Sequence, residues 1–261
     1  MAVDHALFVR DGDRFVPTLH TRGPWDDRYQ HGGAPAALLG RAIEALPSDV
    51  PMVVVRVTVE ILRAIPLVPL RVAAHIERNA RRVQLGSASM HAGDDEVCRV
   101  SAWRMRVADL DLEPHTDATP FPGPEQGEVF EPESEEPGMH RTAMELRFVR
   151  GLFWEPGPAT AWLRLRVPVV DDETPSSLMR VLAAADFGNG ISMAVGFDRY
   201  LFINTDLTVY LHRLPNGEWI CLDTATTLQR SGTGVAESAL YDVHGPIGRS
   251  MQALLVDERR A

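Results

Sequence analysis

The sequence predicts an α+β protein of two tandem units, each a long helix wrapped by a curved antiparallel sheet. Three observations lead to that class. First, Thr58-Val-Glu-Ile-Leu-Arg-Ala-Ile-Pro66 and Thr208-Val-Tyr-Leu-His-Arg-Leu-Pro215 are similar words about 150 positions apart, each preceded by an apolar helix-like stretch and followed by strand-like runs. Second, each half sets one long helical pattern against several Val-rich runs with frequent alternation. Third, no glycine-rich phosphate loop, regular strand and helix alternation or heptad run offers a competing architecture. Two copies in one chain suggest a fused pseudo-dimer, with its site where the halves meet.

In the first unit, residues 1–110, the stretch Ala34 to Leu46 reads as a helix. Pro35 suits its first turn, Leu38, Leu39, Ala42, Ile43 and Leu46 follow the 3-and-4 spacing, and Pro47 stops it. Strands follow near Met52 to Leu62, Leu70 to Arg78, Arg82 to His91 and Glu96 to Val107. Residues 111–138 are rich in proline and acid, as in Glu131-Pro-Glu-Ser-Glu-Glu-Pro137, and bury too little to offset their ordering entropy, so they read as a linker. The second unit, residues 139–261, opens with strands near Met144 to Leu152 and Ala161 to Val167. Thr174-Pro175 then reads as an N-cap with proline in the first turn, and Leu178, Met179, Leu182 and Ala185 form the apolar stripe of a helix that ends at Asp186-Phe187-Gly188. Strands near Leu201 to His212, Trp219 to Gln229, Gly234 to Tyr241 and Gly248 to Val256 complete the unit, with Pro215-Asn216-Gly217 as a hairpin signal.

The 261 residues are ample for a substantial core, and 45% hydrophobic with 24% charged residues is ordinary for a globular protein. A net charge of -10 argues against nucleic-acid binding, which rests on clustered Lys and Arg. It leaves room for a local basic patch that receives a phosphorylated ligand, and Arg78, Arg81 and Arg82 lie close enough to make one. A solvated hairpin is the plainer explanation of the same three residues. Cys98 and Cys221 fall inside strand-like runs and fit no disulfide or zinc pattern. The first thirty residues hold no apolar segment of signal-peptide or membrane-spanning length, which makes a cytoplasmic protein with no membrane partner the default expectation.

One helix enclosed by an antiparallel sheet is the hotdog arrangement, and the doubled version resembles the TesB-like acyl-CoA thioesterases. The resemblance is carried by Tyr29-Gln-His-Gly-Gly-Ala34, Ala184-Ala-Asp-Phe187, Phe202-Ile-Asn-Thr-Asp-Leu-Thr-Val-Tyr-Leu-His-Arg213 and Gln252, whose order spans nearly the whole chain. It implies a double hotdog fold and hydrolysis of an apolar acyl-CoA by a water held between an Asp, a Thr or Ser, and a Gln, with no covalent acyl-enzyme. On that resemblance Asp186 and Gln252 take the Asp and Gln places. Register puts Asn204 in the hydroxyl place and chemistry favours Thr205; neighbouring strand positions face opposite ways, so only one points into the site. Relatives often carry Gly-Gly-Gln where this chain has His31-Gly32-Gly33-Ala34. The coenzyme A belongs to the substrate, so no separate cofactor is expected.

Each residue also has a plainer reading. Asp186 either accepts a proton from water or bonds the backbone at a helix break. Gln252 either orients water or satisfies backbone polar groups, and alternation puts it on the face of Leu254 and Val256. Gly32, Gly33 and Ala34 open a helix whose first N–H groups lack internal partners, which makes an oxyanion hole or a tight turn of positive φ. His31 either acts as a base or braces that turn. Asp26 and His31 also reproduce the Asp-x4-His spacing of hotdog enoyl-thioester hydratases, without the intervening Asn-Pro, so a hydratase or dehydratase is the alternative enzyme and a non-catalytic acyl-CoA binding protein the third reading. The exposed edges of such a sheet predict a homo-oligomer, a dimer or higher.

Overall fold

The computed structural model describes residues 5–113, 115 and 122–259. The first half comprises β1 (Phe8–Asp11), β2 (Arg14–Pro17), α1 (Gly33–Glu44), β3 (Met52–Ile61), β4 (Leu70–Asn79), β5 (Val83–Ala92) and β6 (Asp95–Arg106). The second comprises β7 (Glu128–Val129), β8 (Met144–Arg150), β9 (Ala159–Leu165), α2 (Ser177–Ala185), α3 (Gly188–Ile191), β10 (Tyr200–Asn204), β11 (Asp206–Leu211), β12 (Ile220–Gln229), β13 (Thr233–Asp242) and β14 (Gly245–Glu258). The strands form one 14-stranded sheet, in the order β1-β2-β4-β5-β6-β3-β11-β14-β13-β12-β9-β8-β7, with β10 paired to the last residues of β14. This is the predicted double hotdog, an α+β fold in which one continuous sheet curves round both helices.

The halves join through β3 and β11, antiparallel, with Thr58 directly opposite Thr208 and their hydroxyls 3.3 Å apart. The repeated words thus meet at their own first residue, which is the pairing a twofold axis requires. Beneath the sheet α1 and α2 run antiparallel. A side chain on Gly40 would run into the tip of Leu182, and one on Gly33 would come within 2.6 Å of the Ala183 carbonyl oxygen, so small residues set this close approach. Leu38, Leu39 and Ile43 of α1 and Leu178 and Leu182 of α2 are completely buried, and each such side chain contributes about 1.5–3 kcal/mol relative to exposure. Along β5 alternate residues turn inward, as the period of a half-buried strand demands.

Several sequence expectations shift. The helix cap is Ser176, not Thr174: the Ser176 hydroxyl accepts from the Met179 N–H at 3.1 Å, so Pro175 precedes the helix. The strand expected over Leu201 to His212 is two strands, broken where Thr205 donates its N–H to Ala253 and accepts from Ile61. β3 shows the matching irregularity between Val54 and Arg56, so the repeat carries even its flaw. The short hairpin β1–β2 has too few residues to show a period and was not expected. Of the expected linker, residues 114 and 116–121 lie outside the described residues; beyond them β7 pairs with β8 and Trp162 Nε1 donates to the Pro122 carbonyl. Both cysteines are free and buried, and among the described residues no helix is long and apolar enough to cross a membrane.

Candidate active site

Where the start of α1 meets the end of α2, buried polar groups converge on a cavity of about 370 Å³, which is within the range of small-ligand pockets. A larger groove, about 1450 Å³, lies on the outer face of the sheet and is lined by Met105, Tyr210 and Met251 among others; it holds none of the predicted site residues. The smaller cavity is the candidate because buried acid, amide and imidazole groups face it, and none of them faces the larger groove.

Asp186 is the C-cap of α2 and is 4% exposed. Its Oδ1 accepts from Asn204 Nδ2 at 2.8 Å and from Gln252 Nε2 at 3.3 Å, and its Oδ2 lies 2.9 Å from His31 Nδ1. Three side chains from three elements therefore fix one carboxylate, which answers what a buried charge requires. The charge is felt beyond them: burial and then Asp186 push the Cys98 thiol up to about 12, which keeps it unreactive.

The break after Asn204 decides between the two strand candidates. Asn204 is buried and lines the cavity, whereas Thr205 is exposed, with its hydroxyl directed at the Ala253 carbonyl 3.5 Å away. Thr205 therefore does not face the site. Gln252 sits behind Asp186, outside the cavity lining: its amide N–H also reaches the Asp186 carbonyl at 3.3 Å and its Oε1 accepts from the Asn189 N–H at 3.0 Å. It positions Asp186 and caps α3. Asn189 lines the cavity and was missed; the signal was Gly188-Asn189-Gly190, a polar residue between glycines just after the acid.

Gly32 and Gly33 have ordinary helical geometry, φ -59° at Gly32, so a positive φ is not what selects glycine here. Close approach is. A Cβ on Gly32 would stand 2.9 Å from Asp186 Oδ2. Ala34 donates its N–H to the His31 carbonyl at 3.2 Å, and Gly33 directs its own at His31 Nδ1, 3.1 Å away. One nitrogen cannot serve both neighbours. If Nδ1 accepts from Gly33, it sets a lone pair against the Asp186 carboxylate; if it carries the proton, it donates to Asp186 and leaves the Gly33 N–H unpaired. The shorter contact is the one to Asp186 Oδ2, so we assign the proton to Nδ1. The ring of His31 also packs on Phe187, centroids 4.4 Å apart.

Asp26 is not the partner of His31: Arg28 takes its carboxylate with bonds of 2.6 and 2.9 Å, which lowers its pKa to about 2. The Asp-x4-His pair of a hydratase is therefore not assembled. Arg78, Arg81 and Arg82 are exposed on the β4–β5 hairpin, beside the C-terminal end of α1, where Gln84 donates to the Pro47 carbonyl. They lie at the far end of α1 from the cavity, which removes them as contacts for a ligand there. The cavity wall also carries an aromatic cluster of Trp25, Phe153, Trp154, Phe197 and Phe202, with Trp25 stacked on Phe197 at 4.7 Å and edge-on to Phe202 at 4.8 Å, beside aliphatic residues such as Ile61, Ile65 and Met193.

Fold and site together define a double-hotdog protein with one acid-and-amide site between its halves. Two family models match the chain, the acyl-CoA thioesterase N-terminal domain over residues 21–105 and the acyl-CoA thioesterase C-terminal domain over residues 111–256. The chain belongs to the TesB-like acyl-CoA thioesterase family and is a thioester hydrolase. Among solved structures it is similar to a conserved hot dog protein of Alicyclobacillus acidocaldarius, at TM-score 0.75 and 16% identity, covering 100% of this chain and 99% of that one. It is also similar to the tesB protein of Mycobacterium avium subs paratuberculosis, at TM-score 0.65 and 16% identity over 96% and 95% of the two chains. The acyl-CoA thioesterase II TesB2 of Mycobacterium marinum gives 0.64 and 16% over 89% and 91%. At these identities the likeness is one of fold. No curated protein sequence matches the chain.

Proposed function

We propose that the protein hydrolyses an apolar acyl-CoA to the free acid and coenzyme A, with Asp186 as the group that takes the proton of water. The observation that carries this is Asp186 itself, a 4% exposed carboxylate held by Asn204, Gln252 and His31 and facing the glycine turn that opens α1. The acyl group lies among the aromatic rings, and the thioester carbonyl points at the positive end of α1. Asn204 and Asp186 orient a water. Its oxygen bonds to the carbonyl carbon while its proton passes to Asp186, and the developing oxyanion takes the Gly33 N–H that the His31 tautomer leaves free. When the carbon–sulfur bond breaks, the proton returns from Asp186 to the departing thiolate. Gln252 acts through Asp186 as a positioning residue.

The test is thiol release from short, medium and long acyl-CoAs by the wild type beside Asp186→Asn. Release that disappears in the variant supports the assignment and ranks the acyl groups. Equal release in both would make Asp186 structural, and no release from any substrate would sink the hydrolytic reading of this site. We also infer self-association: Met105, Tyr210 and Met251 form an exposed apolar strip on the outer face of the sheet, and a monomeric mass by sedimentation would refute it.

A further inference from the structure

Arg259, just past β14, stands beside the cavity, and among the described residues no acid pairs with it. Its guanidinium carbon stands 4.3 Å from the Phe197 ring centroid and 5.5 Å from that of Trp25, two rings that line the cavity from the other side. Its backbone N–H is tied to the Arg199 carbonyl at 2.9 Å, which fixes the root of the side chain. Neighbouring arginines are answered: Arg28 by Asp26 at 2.6 Å and Arg199 by Glu258 at 3.6 Å. In Arg259, by contrast, Nε and Nη2 are both buried with no hydrogen-bond partner. In Arg22, Arg56 and Arg104 only Nε is both buried and without a partner.

Stacking on two aromatic faces attracts the cation but leaves its in-plane N–H groups unsatisfied. A guanidinium whose root is fixed and two of whose nitrogens have no partner is prepared for a planar or tetrahedral oxyanion. Arg259 is not itself part of the cavity lining, so an acyl chain in the cavity does not reach it; an anion that does must belong to the part of the substrate outside.

We propose that Arg259 binds a phosphate of the coenzyme A moiety, in the role that the sequence alone assigned to Arg78, Arg81 and Arg82. The proposal rests on the acyl-CoA reading above. Its test compares wild type, Arg259→Gln and Arg259→Lys on an acyl-CoA and on the same acyl group carried by pantetheine, which has the thioester but neither the nucleotide nor its phosphates. We expect Arg259→Gln to lower kcat/KM for the acyl-CoA by about 10- to 100-fold, as loss of a charge-assisted bidentate contact does. Arg259→Lys should recover part of it, while the pantetheine substrate is turned over alike by all three proteins. An equal loss on both substrates would make Arg259 a structural cap on the aromatic wall and overturn the proposal. So would no loss on either, or a loss confined to acyl groups with a terminal carboxylate. Calorimetric titration with coenzyme A and with pantetheine separates this idea from the hydrolytic one: weaker coenzyme A binding in Arg259→Gln upholds the phosphate site even where no thiol is released, and unchanged binding rejects it even where hydrolysis is brisk.

Discussion

The α1–α2 pair has two ends built to one plan, and only one is open. At the open end Gly32 and Gly33 of α1 face Asp186 of α2. At the other end Ser176, the α2 cap, bonds Glu44 of α1, Arg41 pairs with Glu173, and Arg104 closes the gap by donating to the Leu46 carbonyl and to Gln84. The repeat allows a position-by-position comparison. The C-cap of α2 is Asp186 and that of α1 is Ala45. The 150-residue offset between the paired Thr58 and Thr208 sets Asn204 against Val54, and the register of the next strand sets Gln252 against Ala102, since Thr208 faces Met251 as Thr58 faces Ser101. Each of these three polar members of the site has an apolar counterpart. A buried polar group without a ligand to serve costs free energy, so the closed end is filled with alkyl groups and matched ion pairs. Duplication supplied two scaffolds, and chemistry resides where the buried polar set is complete.

The sharpest way to break the comparison is to remove the acid from one end and add it to the other. Asp186→Asn should cost turnover about 10³-fold, the combined worth of a base and its electrostatics, with the circular dichroism spectrum unchanged. Ala45→Asp should leave turnover as it is. A loss below tenfold in Asp186→Asn would remove Asp186 from the chemistry. Next comes the glycine turn. Gly33→Ala would press a methyl against the Ala183 carbonyl, which is backbone and cannot turn aside, whereas Gly40→Ala would press on the movable tip of Leu182. We expect about 3 kcal/mol of destabilisation for the first and about 1 for the second in urea titrations, as overpacking typically costs. The reverse order would mean that the helices can slide at the open end. Gln252→Leu should lower kcat about 30-fold with little change in KM, because Gln252 acts through Asp186 and touches no substrate; its counterpart Ala102→Gln should instead cost about 1–3 kcal/mol of stability by leaving an amide unpaired. An effect of Gln252→Leu on KM alone would place it against the ligand instead.

Much of this was legible in the sequence, for physical reasons that differ by residue. Asp186 and Gln252 stand out because a charge or amide within an apolar run needs partners, and the structure supplies them from other elements. The helices and the long strands were legible because burial imposes a period on nine or more residues. What was not legible depends on contacts across the fold. Asn204 and Thr205 differ only in which way a broken strand turns them, and the break is made by Ala253 and Ile61 far along the chain. The Arg78, Arg81 and Arg82 cluster was conspicuous in sequence yet lies at the wrong end of α1. Arg259 was inconspicuous beside Arg260, and its aromatic seat is assembled from residues 25 and 197.

The two ends also titrate with opposite sign, which gives the finest test of the comparison. At the open end His140 is buried on Phe153 with its Nδ1 unpaired, and burial, then the neighbouring His31 and Arg141, lower its pKa from 6.5 to about 3. The unfolded chain therefore binds the extra proton between those values, so the neutral imidazole contributes stability that is whole above pH 6.5 and drains away as pH falls towards 3. At the closed end burial raises the pKa of Glu44 above 4.5, against the opposing pull of Ser176 and Arg104. Its contribution is whole at acid pH and is lost as pH rises through the carboxylate range. Moving from pH 7 to pH 5 should thus cost the wild type roughly 2 kcal/mol through His140, the linkage expected for a histidine that stays neutral while its unfolded form protonates. His140→Phe should remove that slope while Glu44→Gln leaves it intact, each read from urea midpoints at the two pH values. An unaltered slope in His140→Phe would mean that burial does not keep this imidazole neutral in the fold.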